Sequence, residues 1–153
     1  MATTVTAADL TVTITESYTL NDVAYGNTMS KTFTSNGEVY QRVMAIAAGS
    51  RGSSWTSIIN FGAADSAGTA DITNYKYFRI KNLDDTNFLE LRVTGTADSF
   101  FVKIKAGESF LLMDNEMDAV ASSSTIGTLT DITEIAANAN TDGVDIEFIV
   151  VTA

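Results

Sequence analysis

From Asp9 the chain alternates between apolar and hydroxylated residues, with Leu10, Val12 and Ile14 separated by Thr11, Thr13 and Thr15. A period of two places the first set on one face of an extended segment and the second on the other, so Asp9–Tyr18 is predicted to be a half-buried strand. Threonine suits the solvated face, because it is both polar and β-branched. A short strand is expected at Ser30–Thr34, and Val39–Ala47 is apolar enough for a buried strand or a brief helix. Another strand is expected over Ser54–Phe61, which carries Trp55, Ile59 and Phe61. The small, polar stretches Ala47–Ser54 and Gly62–Asp71 read as loops.

The alternation is clearest over Tyr75–Leu112, which predicts a four-stranded meander. Its inward residues are Phe78 and Ile80, then Leu89, Leu91 and Val93, then Phe100, Val102 and Ile104, and last Phe110 and Leu112. The turns are Asp84–Asn87, Gly95–Asp98 and Ala106-Gly107. Farther on, Ser122–Ser124 reads as a loop, Thr130–Asn138 as a strand, and Val144–Val151 as a strong closing strand. About eight to ten strands at hairpin spacing, with no sustained helical period, predict an all-β fold. The architecture expected is an antiparallel β-sandwich, jelly-roll-like. One domain over residues 1–153 accounts for this pattern, with residues 1–8 as a flexible N-terminal arm.

Composition narrows the chemistry. The 153 residues include no Cys, no His and no Pro. Triads built on Ser-His-Asp or Cys-His are therefore excluded, as are thiolate metal sites, and no catalytic role is expected. The net charge of −10 disfavours nucleic acid and anionic membranes as partners. The charge is also uneven, with nine bases and ten acids up to Lys105, then nine acids and no base. The opening residues carry no basic and apolar signal pattern, so synthesis in a cytoplasm without a signal peptide is expected.

Four groups of residues are candidates for a site. Asp114, Glu116 and Asp118 offer oxygen ligands at alternate positions, the weak calcium candidate. Ala119 and Thr125 stand where a calcium loop of the EF-hand type needs Gly and Glu, which favours a solvated loop. Asp84-Asp85 is the nearest thing to a catalytic carboxylate pair, though Asp is also the ordinary residue of a hairpin turn. Arg79, Lys81, Arg92, Lys103 and Lys105 fall on the outward positions of the predicted meander, with Glu90 among them. Cross-strand charge pairs are the usual dressing of such a face, and contact with another protein is the alternative. Trp55, with Tyr40, Tyr75 and Tyr77, is a candidate interface or sugar-stacking platform. The expected site is therefore an interface carried by Trp55 and the five bases, with no catalytic residues and no cofactor.

The segment YKYFRIKNLDDTNFLELRVTGTADSFFVKIKAGESFLL resembles small virion proteins of tailed bacteriophages, particularly marine ones. The resemblance lies in Arg79 with Asn82 and Leu83 before a hairpin, then Lys103 with Gly107, Glu108, Ser109 and Phe110. The Val144–Thr152 strand is similar to the closing strand of the same proteins. It implies a jelly roll or sandwich that sits in the virion, decorates or cements the capsid, and binds the major capsid protein or another virion protein. A homo-oligomer, with three copies favoured, goes with that role. The competing expectations are a tail-tube or receptor-binding component, and a carbohydrate-binding or adhesion module using Asp114, Glu116 and Trp55.

Overall fold

The computed structural model describes residues 6–49, 54–63, 68–71, 75–96, 99–114, 116–117 and 127–153. These residues contain no helix and form strands throughout, as the alternation predicts. The strands are β1 (Ala8–Leu20), β2 (Val23–Asn36), β3 (Glu38–Ile46), β4 (Thr56–Gly62), β5 (Ala70–Asp71), β6 (Tyr75–Asn82) and β7 (Leu89–Thr94). They continue with β8 (Ser99–Ile104), β9 (Ser109–Leu112), β10 (Glu116–Met117), β11 (Thr130–Asp131), β12 (Glu134–Ala139) and β13 (Val144–Thr152).

Two sheets build the body. One runs β3-β13-β6-β9, and the other runs β5-β4-β12-β7-β8. With the two-residue β5 set aside, the eight remaining strands stand in space as first-eighth-third-sixth against second-seventh-fourth-fifth. That order is a jelly roll of two interlocked Greek keys. It confirms the sandwich and corrects the meander. β6 pairs with β13 and β9, while β7 pairs with β12 and β8. The turn at Asp84–Asn87 is thus a corner between sheets. Only β7 and β8 remain hairpin neighbours within Tyr75–Leu112.

The core lies between the sheets and holds the residues that alternation points inward. Phe78, Ile80, Leu89, Leu91 and Val93 are fully buried, and Phe100, Val102, Phe110 and Leu112 pack against them. β13 is central in its sheet and supplies Val144, Ile146, Phe148 and Val150. β12 is central in the other, and its Ile135–Ala139 run is buried on both faces. Tyr75 lies edge-on to Phe61 at 5.4 Å and donates its hydroxyl to the Leu112 carbonyl at 2.9 Å. Burial, then the nearby Asp114 charge, pushes its phenol far above the ordinary range, so it acts only as a donor.

The N-terminal third departs from expectation. Among the described residues β1 and β2 pair only with each other, as one long antiparallel ribbon. The expected strand at Ser30–Thr34 is the far part of β2, and β3 is an edge strand rather than a helix. Residues Asn21 (φ 50°) and Asp22 (φ 62°) make the two-residue turn, with both centres in the left-handed region that a twisted hairpin favours. At Gly26 a methyl group would run into the Glu16 carbonyl oxygen, so the strands approach more closely there than a side chain allows. At ~3.4 Å per residue the ribbon extends about 44 Å. The arm that the structure shows is this paired ribbon, Ala8–Asn36, and not the flexible segment expected at residues 1–8. Of the residues 1–8 expected to form it, 1–5 lie outside the described residues and Ala8 already belongs to β1.

Candidate interaction surfaces

The ribbon has two chemically opposite faces. On one, Thr11 meets Thr32, Thr13 meets Ser30 and Thr15 meets Thr28, with hydroxyl oxygens 3.1, 3.0 and 3.3 Å apart. On the other, the facing pairs are Leu10–Phe33, Val12–Lys31, Ile14–Met29, Glu16–Asn27, Tyr18–Tyr25 and Leu20–Val23. Tyr18 and Tyr25 stack at 5.2 Å. Every residue from Thr13 to Thr32 is exposed, so the apolar side chains of this face stand in water. Among the described residues, six of the thirteen exposed large hydrophobic side chains belong to it, which makes it their main apolar surface. At its base the face joins the sandwich. Phe33 lies 5.9 Å from the Tyr77 ring, and Lys76 Nζ donates to the Thr34 carbonyl at 2.6 Å.

A second surface forms on the outer face of the β12-β7-β8 sheet. Trp55, just before β4, sits 5.6 Å from the Phe101 ring, and the Arg92 guanidinium lies 5.0 Å over the indole. Glu134 on β12 holds Arg92 at 2.6 Å. Alongside, Lys103 Nζ is 3.8 Å from the centre of the Phe88 ring. Phe101 is 64% exposed and is the outward member of the Phe100-Phe101 pair.

The five bases do not share one face. Arg79 and Lys81 lie on the outer face of the β3-β13-β6-β9 sheet, while Arg92 and Lys103 lie on the opposite side of the sandwich. Lys105 stands in the β8–β9 turn, 3.9 Å from Glu108. The separation follows from the corner at Asp84–Asn87, because strands in opposing sheets turn their polar positions to opposite sides. Arg79 is held by Glu147 at 2.5 Å from the neighbouring strand β13, as the cross-strand pairing of a dressed face requires. Of the aromatics grouped with Trp55, Tyr75 and Tyr77 are buried elsewhere. Tyr40 lines a groove of about 590 Å³ between the β3 and β4 edges, with Arg42, Ile58, Asn60, Ala70 and Phe148.

The carboxylate candidates serve local structure. Asp114 Oδ1 accepts from the Glu116 backbone N–H at 3.1 Å, while Asp118 lies outside the described residues. Among the described residues no three His, Cys, Asp or Glu side chains converge. Asp84 caps its own corner, where Oδ1 accepts from the backbone N–H groups of Asn87 at 2.5 Å and Thr86 at 2.7 Å. Those donors hold its carboxyl below the usual carboxylate range. The corner should therefore have its full hold above about pH 4, the ordinary Asp value, and lose it as pH falls through the depressed value. Loss of local amide protection at Thr86 and Asn87 over that acid range checks this, and Asp84→Asn should abolish the pH dependence.

Asn82 is a structural residue that the strand pattern does not mark. It is fully buried, its Nδ2 donates to the Asn87 carbonyl at 2.8 Å and the Ile104 carbonyl at 3.3 Å, and its Oδ1 accepts from Asp84 N–H at 3.0 Å. The surfaces of the described residues thus offer apolar, aromatic and paired ionic contacts. No family model matches the chain, and no curated protein or solved structure is significantly similar to it.

Proposed function

We propose that this chain is a structural protein of a phage particle that binds the outside of the capsid and stabilises it. The observation that carries the reading is the arm, twenty consecutive exposed residues with one apolar face, projecting from a jelly roll that closes its own core without it. Surface of that kind is a device for docking. The resemblance of Tyr75–Leu112 to small virion proteins supports a virion setting. A cement protein acts by binding the assembled shell in preference to its free subunits, which adds contact free energy to the shell alone. It needs no catalysis and no cofactor, in keeping with a chain that has neither His nor Cys. Synthesis in the host cytoplasm followed by capture on the shell fits the same role.

The test mixes purified protein with empty shells of the phage that encodes it. Saturable co-sedimentation and a higher shell melting temperature are expected. Spontaneous tubes or rings without shells would move the reading to a tail component, and absence of shell binding at tens of micromolar would overturn it.

One observation favours a second reading, a carbohydrate-binding or adhesion module. The Trp55–Phe101–Arg92 platform presents an exposed ring beside a cation, an arrangement that stacks against sugar faces. In that case Phe101→Ala should abolish binding to surface polysaccharide while leaving shell binding intact.

A further inference from the structure

We propose that the arm pairs with the arm of a second copy of this chain, apolar face to apolar face and antiparallel, about a two-fold axis crossing the ribbon at the Ile14–Met29 pair. The inference rests on the arm alone and not on the capsid reading.

A lone two-stranded ribbon is marginal in water, and this one also exposes an apolar face along its length. Covering that face with a like ribbon makes a small four-stranded sandwich with the threonine ladders outside. A second copy is present wherever the chain is made, whereas any other partner must first be met. The available area is adequate. A ribbon about 44 Å long and roughly 10 Å wide, with side-chain relief, offers on the order of 600 Å² per copy, or about 1,200 Å² in all. That total is at the lower bound of specific interfaces, about 1,200 Å².

Charge fixes the orientation. Between Leu10 and Phe33 the apolar face carries two ionised groups, Glu16 and Lys31. They lie one facing pair to either side of Ile14–Met29, too far apart along one ribbon to meet each other. An antiparallel two-fold through that pair brings each Lys31 level with Glu16 of the other copy, one strand across. A parallel arrangement leaves both charges opposite uncharged residues, Glu16 against Asn27 and Lys31 against Val12. The same axis lays the Tyr18–Tyr25 stack of one copy over Leu10 and Phe33 of the other. The product is a divalent unit with its two jelly rolls at opposite ends, suited to bridging two sites.

Sedimentation equilibrium of the full chain should give twice the 16.3 kDa chain mass at micromolar concentration. Lys31→Glu and Glu16→Lys should each weaken the dimer roughly tenfold, and the double reversal should restore it to within about threefold. The chain has no cysteine, so single thiols report geometry cleanly. Ile14→Cys should be linked by a short bismaleimide, because residue 14 meets itself across the axis, and Thr13→Cys on the hydroxyl face should not. The far-ultraviolet melt of each variant separates lost pairing from lost folding. A monomer, a trimer, equal linking at positions 13 and 14, or charge reversals without effect in folded protein would each overturn the proposal.

Discussion

Replacing Asn82 with Ala should destabilise the jelly roll by about 2–4 kcal/mol, measured by urea or thermal unfolding. Asn82 faces inward at the end of β6, where the chain leaves one sheet for the other. A corner breaks the ladder, so its backbone groups need partners that neither sheet supplies. The Asn82 amide supplies two of them, at Asp84 N–H and at the Asn87 carbonyl, and ties both to the end of β8 through the Ile104 carbonyl. Truncation leaves those groups without partners in a place where the side chain is fully buried, and such loss costs about 1–3 kcal/mol per group before relaxation. Asn82→Asp is the sharper probe. It keeps an acceptor for Asp84 but aims a second carboxylate oxygen at two carbonyl oxygens. Burial and those acceptors favour the protonated acid in the fold. The variant's deficit should therefore be smallest well below pH 4, where the acid is protonated folded or unfolded, and should grow as pH rises through the raised value. A loss below about 1 kcal/mol for Asn82→Ala would mean the corner is held by its backbone alone.

What the sequence discloses about this fold is orientation rather than partnership. Phe78, Ile80, Leu89, Leu91, Val93 and Ile104 are readable as inward because the side-chain period of a strand is two, and all six are buried. The same period is silent on which sheet a strand joins. A short polar connection such as Asp84–Asn87 serves a hairpin or a corner equally well, and the corner that forms removes both the meander and the shared basic face. The strand expected at Thr130–Asn138 contains β12, whose central place in a sheet is less legible. Its Ala136 and Ala137 are helix-favouring residues, placed where close packing on both faces leaves room for little else. The arm was half legible. Leu10, Val12 and Ile14 announced β1, but Gly26 and Asn27 interrupt β2 with residues that normally signal loops. The Asn21-Asp22 turn between two alternating runs was the signal that joined them. Of the five bases expected to share an interface with Trp55, Arg92 is the one that lies over its indole ring. Of the adjacent Phe100 and Phe101 in β8 one must face out, and it is Phe101.

Shortening the arm should separate assembly from folding. In the variant meant here, Asn-Gly replaces Thr15–Thr28, which closes the ribbon directly after the Ile14–Met29 pair with a favoured two-residue turn. The base stays, with Phe33 on Tyr77 and Lys76 on the Thr34 carbonyl. No strand of either jelly-roll sheet pairs with the arm, and every residue removed is exposed. The unfolding free energy of the jelly roll should therefore change by no more than about 0.5 kcal/mol. Association should respond in the opposite way. The deleted segment holds Glu16, the tyrosine stack and the tip, so pairing of copies should fall to the monomer. Shell stabilisation should fall with it if the docking unit is the pair. Hydrogen exchange on the intact chain gives an independent check. Arm amides should exchange with a concentration dependence that the amides of β13 lack, because the arm is protected by pairing and β13 by the core. Arm amides protected to the same degree at every dilution would place the arm inside the folding unit of a single chain. The same shortening would then unfold the protein instead of freeing it.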